Sequence, residues 1–147
     1  MKQIFSSSNL FLKLLALDLI TKVLAYLINP QNMIFKLVYN QNMVFGIEMN
    51  NFVKFGVPFF GLLWFSLFLY FIETKEQKLT YIQILGAGFV GNYICRFFDS
   101  GVIDFIVFGN YIINVADILT YVSLFYVFKV TAVPRIMNQI QKLSKVK

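Results

Sequence analysis

The 147-residue sequence contains no histidine and only one cysteine, Cys95. Without histidine there can be no Ser-His-Asp triad, no Cys-His dyad and no histidine-ligated metal. A single cysteine cannot form an internal disulfide or supply a thiolate metal cluster. Any catalytic chemistry must therefore depend on carboxylates, lysine, arginine, hydroxyl groups or amides.

Charge is also scarce, because Asp, Glu, Lys and Arg make up 14% of the chain, whereas hydrophobic residues make up 59%. Soluble domains average about 25% charged and about 45–50% apolar residues. A domain of this size buries only about 60–70% of its unfolded surface, so a water-soluble core could not hide so much apolar area. We expect the excess to face lipid, in an integral membrane protein.

Long apolar segments account for most of the chain. A helix needs about 20 apolar residues to cross a hydrocarbon core of about 30 Å. Four segments meet this requirement, at about residues 10–28, 52–72, 79–98 and 112–133. They predict an all-α, four-transmembrane-helix bundle in one membrane-embedded domain, with outer loops at 29–51 and 99–111. In the first of these loops, Lys36–Tyr39 and Val44–Ile47 suit two short strands joined by a turn.

The positions of lysine and arginine predict the orientation of the bundle. With both termini in the cytoplasm, more basic residues lie on the inner side than on the outer side. The inner residues are Lys2, Lys75, Lys78, Arg135, Lys142, Lys145 and Lys147, and the outer ones are Lys36, Lys54 and Arg96. This distribution explains the net charge of +6 without a nucleic-acid partner, and it favours a basic C-terminal tail that binds anionic lipid.

Two acids, Asp104 and Asp117, are expected near the outer face. If Gly109-Asn110 reverses the chain, residue 104 lies opposite residue 115, two positions before Asp117. Two carboxyl groups that share a low-dielectric site have separate pKa values, so that one is ionised while the other is protonated. Such a pair can activate water against a peptide carbonyl. In the alternative interpretation, Asp117 only caps its helix and Asp104 is an ordinary loop acid.

Further polar residues occur at helical spacing within the predicted spans. Asn92 and Arg96 lie one turn apart, where they could support or orient the acids. Asp18 and Lys22 have the same spacing, which favours a structural ion pair inside the bundle. Asn40 could hydrogen-bond a substrate backbone or only shape its turn. Small residues in the third span allow close helix packing, and they are Gly86, Ala87, Gly88 and Gly91.

Five motifs occur in a fixed order along the chain. They are Asp18-Leu-Ile-Thr-Lys22, Asn40 with Phe45-Gly46, Gly91-Asn92-Tyr-Ile-Cys95-Arg96, Gly101-Val-Ile-Asp104-Phe105-Ile106, and Asn114-Val-Ala116-Asp117. Together they resemble the lipoprotein signal peptidases, the type II signal peptidases of bacteria, along essentially the whole chain.

This resemblance implies an aspartyl endopeptidase of the bacterial cytoplasmic (inner) membrane, with both termini in the cytoplasm and its active site near the outer face. It implies prolipoprotein substrates, cut just before a diacylglyceryl-modified cysteine, and globomycin-type inhibitors. It also implies a monomer in membrane lipid that needs no metal or cofactor, a small extracytoplasmic β-cradle from the first outer loop, and a short helix in the second. By position, the catalytic dyad is Asp104 and Asp117, and the substrate-binding or supporting residues are Asn40, Asn92, Arg96, Asn114, Ala116, Asp18 and Lys22.

The sequence departs from the family pattern at two places. Cys95 stands where the family usually has an acid, and residues 40–45 replace the usual Asn-x-Gly-Ala-Ala-Phe pattern. Two other functions stay open, both non-enzymatic: a proton-conducting membrane protein, and an inactive relative that binds lipoproteins. Because the polar residues cluster towards one side of the membrane, the sequence favours the peptidase.

Overall fold

A computed structural model describes residues 9–41, 65, 67–99 and 101–144. Three long helices and a small sheet form most of this part of the chain. The helices are α1 (Leu10–Ile28), α2 (Lys75–Asp99) and α3 (Val115–Ser144), and the strands are β1 (Phe35–Asn40), β2 (Val102–Phe108) and β3 (Tyr111–Ile113). Residues 67–71 are also helical.

The helices correspond to three of the predicted spans. Helix α1 has the predicted bounds, and α2 contains the whole of the third span. Among the described residues, one helical stretch, Val115–Pro134, is long and apolar enough to cross a membrane. The four-helix bundle is therefore not established. Most of the predicted second span, 52–72, lies outside the described residues.

Helix α3 begins later and ends later than predicted. Residues 111–113 pair in the sheet, so the helix starts at Val115. It continues through Pro134 to Ser144, although a proline inside a helix removes one backbone hydrogen bond and clashes with the preceding turn. Only 22% of its most apolar window is buried, and large side chains such as Phe125 and Phe128 are exposed. This outward apolar surface is what lipid contact requires.

The second outer loop contains a β-hairpin, and the predicted short helix there is wrong. Val102–Phe108 is rich in β-branched and aromatic residues, which favour an extended chain. Gly109 has a φ of 60°, which suits a two-residue hairpin turn. The register pairs Ile106 with Ile113 and Phe108 with Tyr111, as the reversal at Gly109-Asn110 predicts.

The fold is consequently mostly helical with a small sheet, which agrees with the expected helical protein that carries a small β-cradle. Within the described residues the sheet has three antiparallel strands in the order β1-β2-β3. The predicted strand Lys36–Tyr39 falls inside β1, and Val38 pairs with Asp104 and Asn40 with Val102. Strand β1 thus pairs with the second outer loop, while its predicted partner, Val44–Ile47, lies outside the described residues.

Close packing at two glycines brings the three helices together at the sheet end. A Cβ atom added at Gly88 would lie 2.6 Å from the backbone oxygen of Ala116, at the start of α3. One added at Gly91 would collide with the carboxylate of Asp18 on α1. Towards the other end of α2, the ring of Tyr81 is fully buried and stacks on Phe65, with 5.6 Å between ring centroids. The glycines therefore leave room for polar contacts at one end, and an aromatic core fills the other.

Candidate active site

A cavity of about 640 Å³ opens where the sheet meets the first turn of α3. Its polar lining consists of six side chains, all of them predicted from the sequence as site residues. They are Asn40, Asn92, Arg96, Asp104, Asn114 and Asp117. The two acids therefore share one cavity, as the hairpin reversal predicts.

Asp104 lies in the middle of β2 and is 3% exposed. Its Oδ2 accepts a hydrogen bond of 2.8 Å from Asn40 Nδ2, and its Oδ1 accepts one of 2.6 Å from Asn114 Nδ2. Burial raises the pKa of Asp104 to about 6, and the nearby Asp117 carboxylate acts in the same direction, against the opposing effect of the two amide donors. A carboxyl group with this pKa can exchange a proton near neutral pH.

Asn114 and Asp117 form a capping box at the start of α3. The Asn114 side-chain oxygen accepts a hydrogen bond from the backbone N–H of Asp117, at 3.0 Å. The Asp117 Oδ2 in turn accepts one from the backbone N–H of Asn114, at 3.2 Å. Such reciprocal contacts are typical of helix N-termini. Asp117 does cap its helix, as the alternative interpretation holds, and the same contacts hold its carboxylate at the cavity.

Asn114 contacts both acids. Its amide group donates to Asp104 Oδ1 and, at 3.0 Å, to the side-chain oxygen of Asn92. Asn92 donates through Nδ2 to Asp117 Oδ1, at 2.9 Å. Residues on β2, α2 and α3 are thus joined in one hydrogen-bonded network.

The predicted ion pair between Asp18 and Lys22 is present behind this network. Lys22 Nζ lies 2.8 Å from Asp18 Oδ2, and both side chains are buried. Asp18 Oδ1 also accepts a hydrogen bond of 2.8 Å from the backbone N–H of Ala116. Lys22 donates to Asn92 Oδ1 at 3.0 Å. The ion pair is therefore connected to the cavity residues, which the sequence spacing alone did not indicate.

Arg96 adds a positive charge to the cavity. It lies one helical turn beyond Asn92 on α2, and it is close enough to interact electrostatically with both Asp104 and Asp117. Its neighbour Cys95, where the family usually has an acid, is half-buried.

The rest of the cavity wall is apolar, and sequence reasoning missed it. Alternate positions of β2, all three residues of β3 and one face of α3 supply these side chains. They are Val102, Ile106, Phe108, Tyr111, Ile112, Ile113, Ile118, Tyr121 and Val122. The spacing of Ile118, Tyr121 and Val122 along one helical face was the available signal.

Solved structures support the fold. One bacterial membrane enzyme, determined by the in meso method at 2.3 Å resolution, aligns with a TM-score of 0.64 over 98% of this chain and 93% of that one, at 18% identity. Another, determined by the same method at 1.9 Å resolution, aligns with a TM-score of 0.60 over 85% of this chain and 91% of that one, at 21% identity. Among curated proteins, none matches this sequence.

A family model provides the functional assignment. The model described as Signal peptidase (SPase) II matches residues 10–132. This range includes α1, α2, the sheet and most of the apolar part of α3. It also includes all six polar residues that line the cavity. The chain therefore belongs to the signal peptidase II family (Peptidase_A8), membrane proteases that process lipoproteins.

Proposed function

We propose that this protein is an aspartyl endopeptidase that removes the signal peptide from diacylglyceryl-modified prolipoproteins, cutting before the lipidated cysteine. The observation that carries the proposal is the shared contact of Asp104 and Asp117 with Asn114 inside one cavity. Two acids in one partly dehydrated site can divide the roles of proton donor and proton acceptor.

Asp104 is the proton donor in this mechanism and Asp117 is the general base. Burial keeps the pKa of Asp104 near 6, so it can hold a proton close to neutral pH. Two N–H groups, from Asn92 and from the Asn114 backbone, hold the Asp117 carboxylate in place. Asp117 takes a proton from water as the water oxygen attacks the scissile carbonyl carbon, and Asp104 gives its proton to the carbonyl oxygen, which yields a tetrahedral diol. The C–N bond then breaks as Asp117 gives its proton to the leaving nitrogen, and Asp104 regains a proton from a diol hydroxyl group as the new carboxylic acid forms.

The other polar residues of the cavity bind and orient the substrate backbone. Arg96 provides a cation beside the two acids, where it can hold a peptide carbonyl oxygen. Asn40 fixes the Asp104 carboxyl group from the neighbouring strand. The scissile bond is thereby placed between two acids whose side chains are already hydrogen-bonded.

The apolar wall suits a lipid-modified substrate. Ile118, Tyr121 and Val122 line the cavity on α3, whose outer surface is itself largely apolar. A substrate that enters sideways from the bilayer could keep its acyl chains against this wall while its peptide bond reaches the acids. The same cavity would accept globomycin-type inhibitors, and a single copy of the chain supplies all the residues used.

The direct test is a gel-shift assay on a lipidated precursor with Asp104→Asn and Asp117→Asn. Each variant is expected to lower the cleavage rate by at least about 10³-fold, because loss of one member of a catalytic unit removes most of its effect. Ser123→Ala is the matched control, since this buried hydroxyl on α3 donates to the Thr120 backbone oxygen and does not line the cavity. Full cleavage by either acid variant would refute the dyad.

The same assay on the native protein, together with a proton-flux measurement in liposomes, separates the alternatives. An inactive relative that binds lipoproteins would leave the precursor uncut by the native protein. A proton-conducting protein would give proton flux in liposomes without cleavage. Membership of a peptidase family argues against both.

A further inference from the structure

Lys22 lies one contact away from the proposed dyad, although it is not among the described residues that line the cavity. It is 2% exposed. Its ammonium group donates to Asp18 Oδ2 at 2.8 Å and to Asn92 Oδ1 at 3.0 Å. Asn92 is therefore the only residue between Lys22 and Asp117 along this hydrogen-bonded path.

The chemistry of the two groups determines how Asn92 is oriented. An ammonium group has only donors, whereas an asparagine amide presents an oxygen on one side and an NH₂ group on the other. The oxygen of Asn92 must face Lys22, so its NH₂ group must face Asp117. Asn114 Nδ2 donates to the same oxygen and reinforces this orientation.

We propose that Lys22 is a positioning residue, whose ammonium orients and polarises the Asn92 amide so that Asp117 meets an N–H donor instead of a carbonyl oxygen. The reversed amide would place an oxygen against the Asp117 carboxylate, and this contact is repulsive unless a proton lies between them. A base that must carry that proton cannot take one from water. The catalytic part of this inference rests on the proposed function.

A closed path of hydrogen bonds holds Lys22 in place. Asp18 binds Lys22 with one oxygen, and with the other it accepts the backbone N–H of Ala116, which precedes Asp117 in the chain. The path thus leaves α3 at Ala116, passes through α1 and α2, and returns to α3 at Asp117. Among the described residues, Asp18 from α1, Arg96 from α2 and Asp104 from β2 interact electrostatically with Asp117, and Lys22 from α1 interacts with Asp18 and Asp104.

The orientation of Asn92 can be tested without any assay of activity. The experiment records side-chain amide resonances of asparagine-¹⁵N-labelled protein in lipid nanodiscs. With Lys22 intact, Asp117→Asn should shift the Asn92 NH₂ resonances, because a neutral amide replaces the carboxylate that accepts their hydrogen bond. With Lys22→Met, the Asn92 resonances should move upfield and their response to Asp117→Asn should weaken. Unchanged resonances in Lys22→Met would overturn the proposal.

Loss of Lys22 leaves Asp18 buried without its cation, which could prevent folding. The double variant Asp18→Asn with Lys22→Met removes both charges together, and it should show the same upfield shift as Lys22→Met. Lys22→Arg retains a group that only donates, so it should restore the native Asn92 resonances. An Asn92 spectrum in Lys22→Arg like that of Lys22→Met would also overturn the proposal.

Cleavage kinetics test the catalytic consequence. Lys22→Met is expected to lower kcat by about tenfold, the effect of one charge-assisted hydrogen bond, and to leave KM within about twofold because Lys22 does not line the cavity. Combined with Asn92→Leu, it should lower kcat no further than Asn92→Leu alone, since the two residues act in series. Thr21→Ala is the control, because within the described part of the chain its hydroxyl bonds only to backbone oxygens of α1.

The outcomes distinguish this proposal from the proposed function. If the fold-losses in kcat of Lys22→Met and Asn92→Leu multiply in the double variant, Lys22 acts independently of Asn92. That result would overturn the positioning role. If the native protein cuts no lipidated precursor, the proposed function fails, while the amide resonances still decide whether Lys22 orients Asn92.

Discussion

At the scale of single residues, the most informative group is Asp104, because its surroundings act on its proton in opposite directions. Burial favours the neutral acid, whereas the amide donors of Asn40 and Asn114 favour the carboxylate. Burial is the stronger effect and leaves the pKa at about 6. That value is suitable for a group that must both hold and release a proton near neutral pH.

This pKa predicts the pH dependence of cleavage. If Asp104 donates its proton, only its protonated form is active. The value of kcat/KM should then fall as pH rises past about 6, by about tenfold per pH unit. Asn40→Ala removes a donor that stabilises the carboxylate, so the pKa of Asp104 should rise and the decline should begin at higher pH. A flat profile from about pH 5 to about pH 8 would exclude Asp104 as the donor.

The sequence predicts some of these residue contacts but not others. The meeting of Asp104 and Asp117 follows from the position of the Gly109-Asn110 turn, since strand register fixes which residues approach one another. The role of Asn114 as a contact between both acids could not be predicted in this way. It depends on side-chain rotamers and on the direction of a single amide, and residue spacing determines neither.

At the scale of elements, glycines determine how closely the helices approach. Gly88 faces the backbone of Ala116, and Gly91 faces the Asp18 carboxylate that Lys22 and Ala116 already hold. Small residues at helix contacts are a general means of bringing transmembrane backbones together. The sequence predicts close packing here, but it does not show which glycine meets which helix.

The three glycines of α2 provide a matched comparison. Gly88→Ala and Gly91→Ala are expected to destabilise the fold by about 1–3 kcal/mol, because backbone or fixed side-chain atoms must move. Gly86→Ala should be neutral or stabilise by up to about 1 kcal/mol, since its new methyl group would lie 3.6 Å from the Phe11 ring. Thermal unfolding in detergent measures the difference. Equal effects at all three positions would contradict the packing argument.

The hairpin shows where element prediction fails. Residues 102–108 are rich in residue types that favour strands, and Gly109-Asn110 forms the turn. The short helix expected there came from family resemblance alone, and local sequence preference contradicts it. The register could be predicted from the turn, whereas the pairing of β1 with β2 could not, because it joins residues more than sixty positions apart.

At the scale of the whole molecule, the composition predicts an integral membrane protein, and the positions of lysine and arginine predict its orientation in the bilayer. Helix α2 has 25 residues, which at 1.5 Å per residue gives about 37 Å, enough to cross a hydrocarbon core of about 30 Å. Glu76 lies near the first residue of α2. Asn110 lies in the hairpin turn, which comes after the last residue of α2 and strand β2. If α2 spans the bilayer, these two exposed residues lie on opposite sides of it.

Single cysteines at these two positions test the orientation in a Cys95→Ala background, which has no other thiol. In spheroplasts, a membrane-impermeant maleimide should label Asn110→Cys, whereas Glu76→Cys should react only after lysis. A permeant maleimide that labels both variants is the control for thiol reactivity. The reverse pattern would place the cavity on the cytoplasmic face. It would contradict the orientation that the inner excess of lysine and arginine predicts, and it would place the two acids on the side of the membrane opposite to the one proposed.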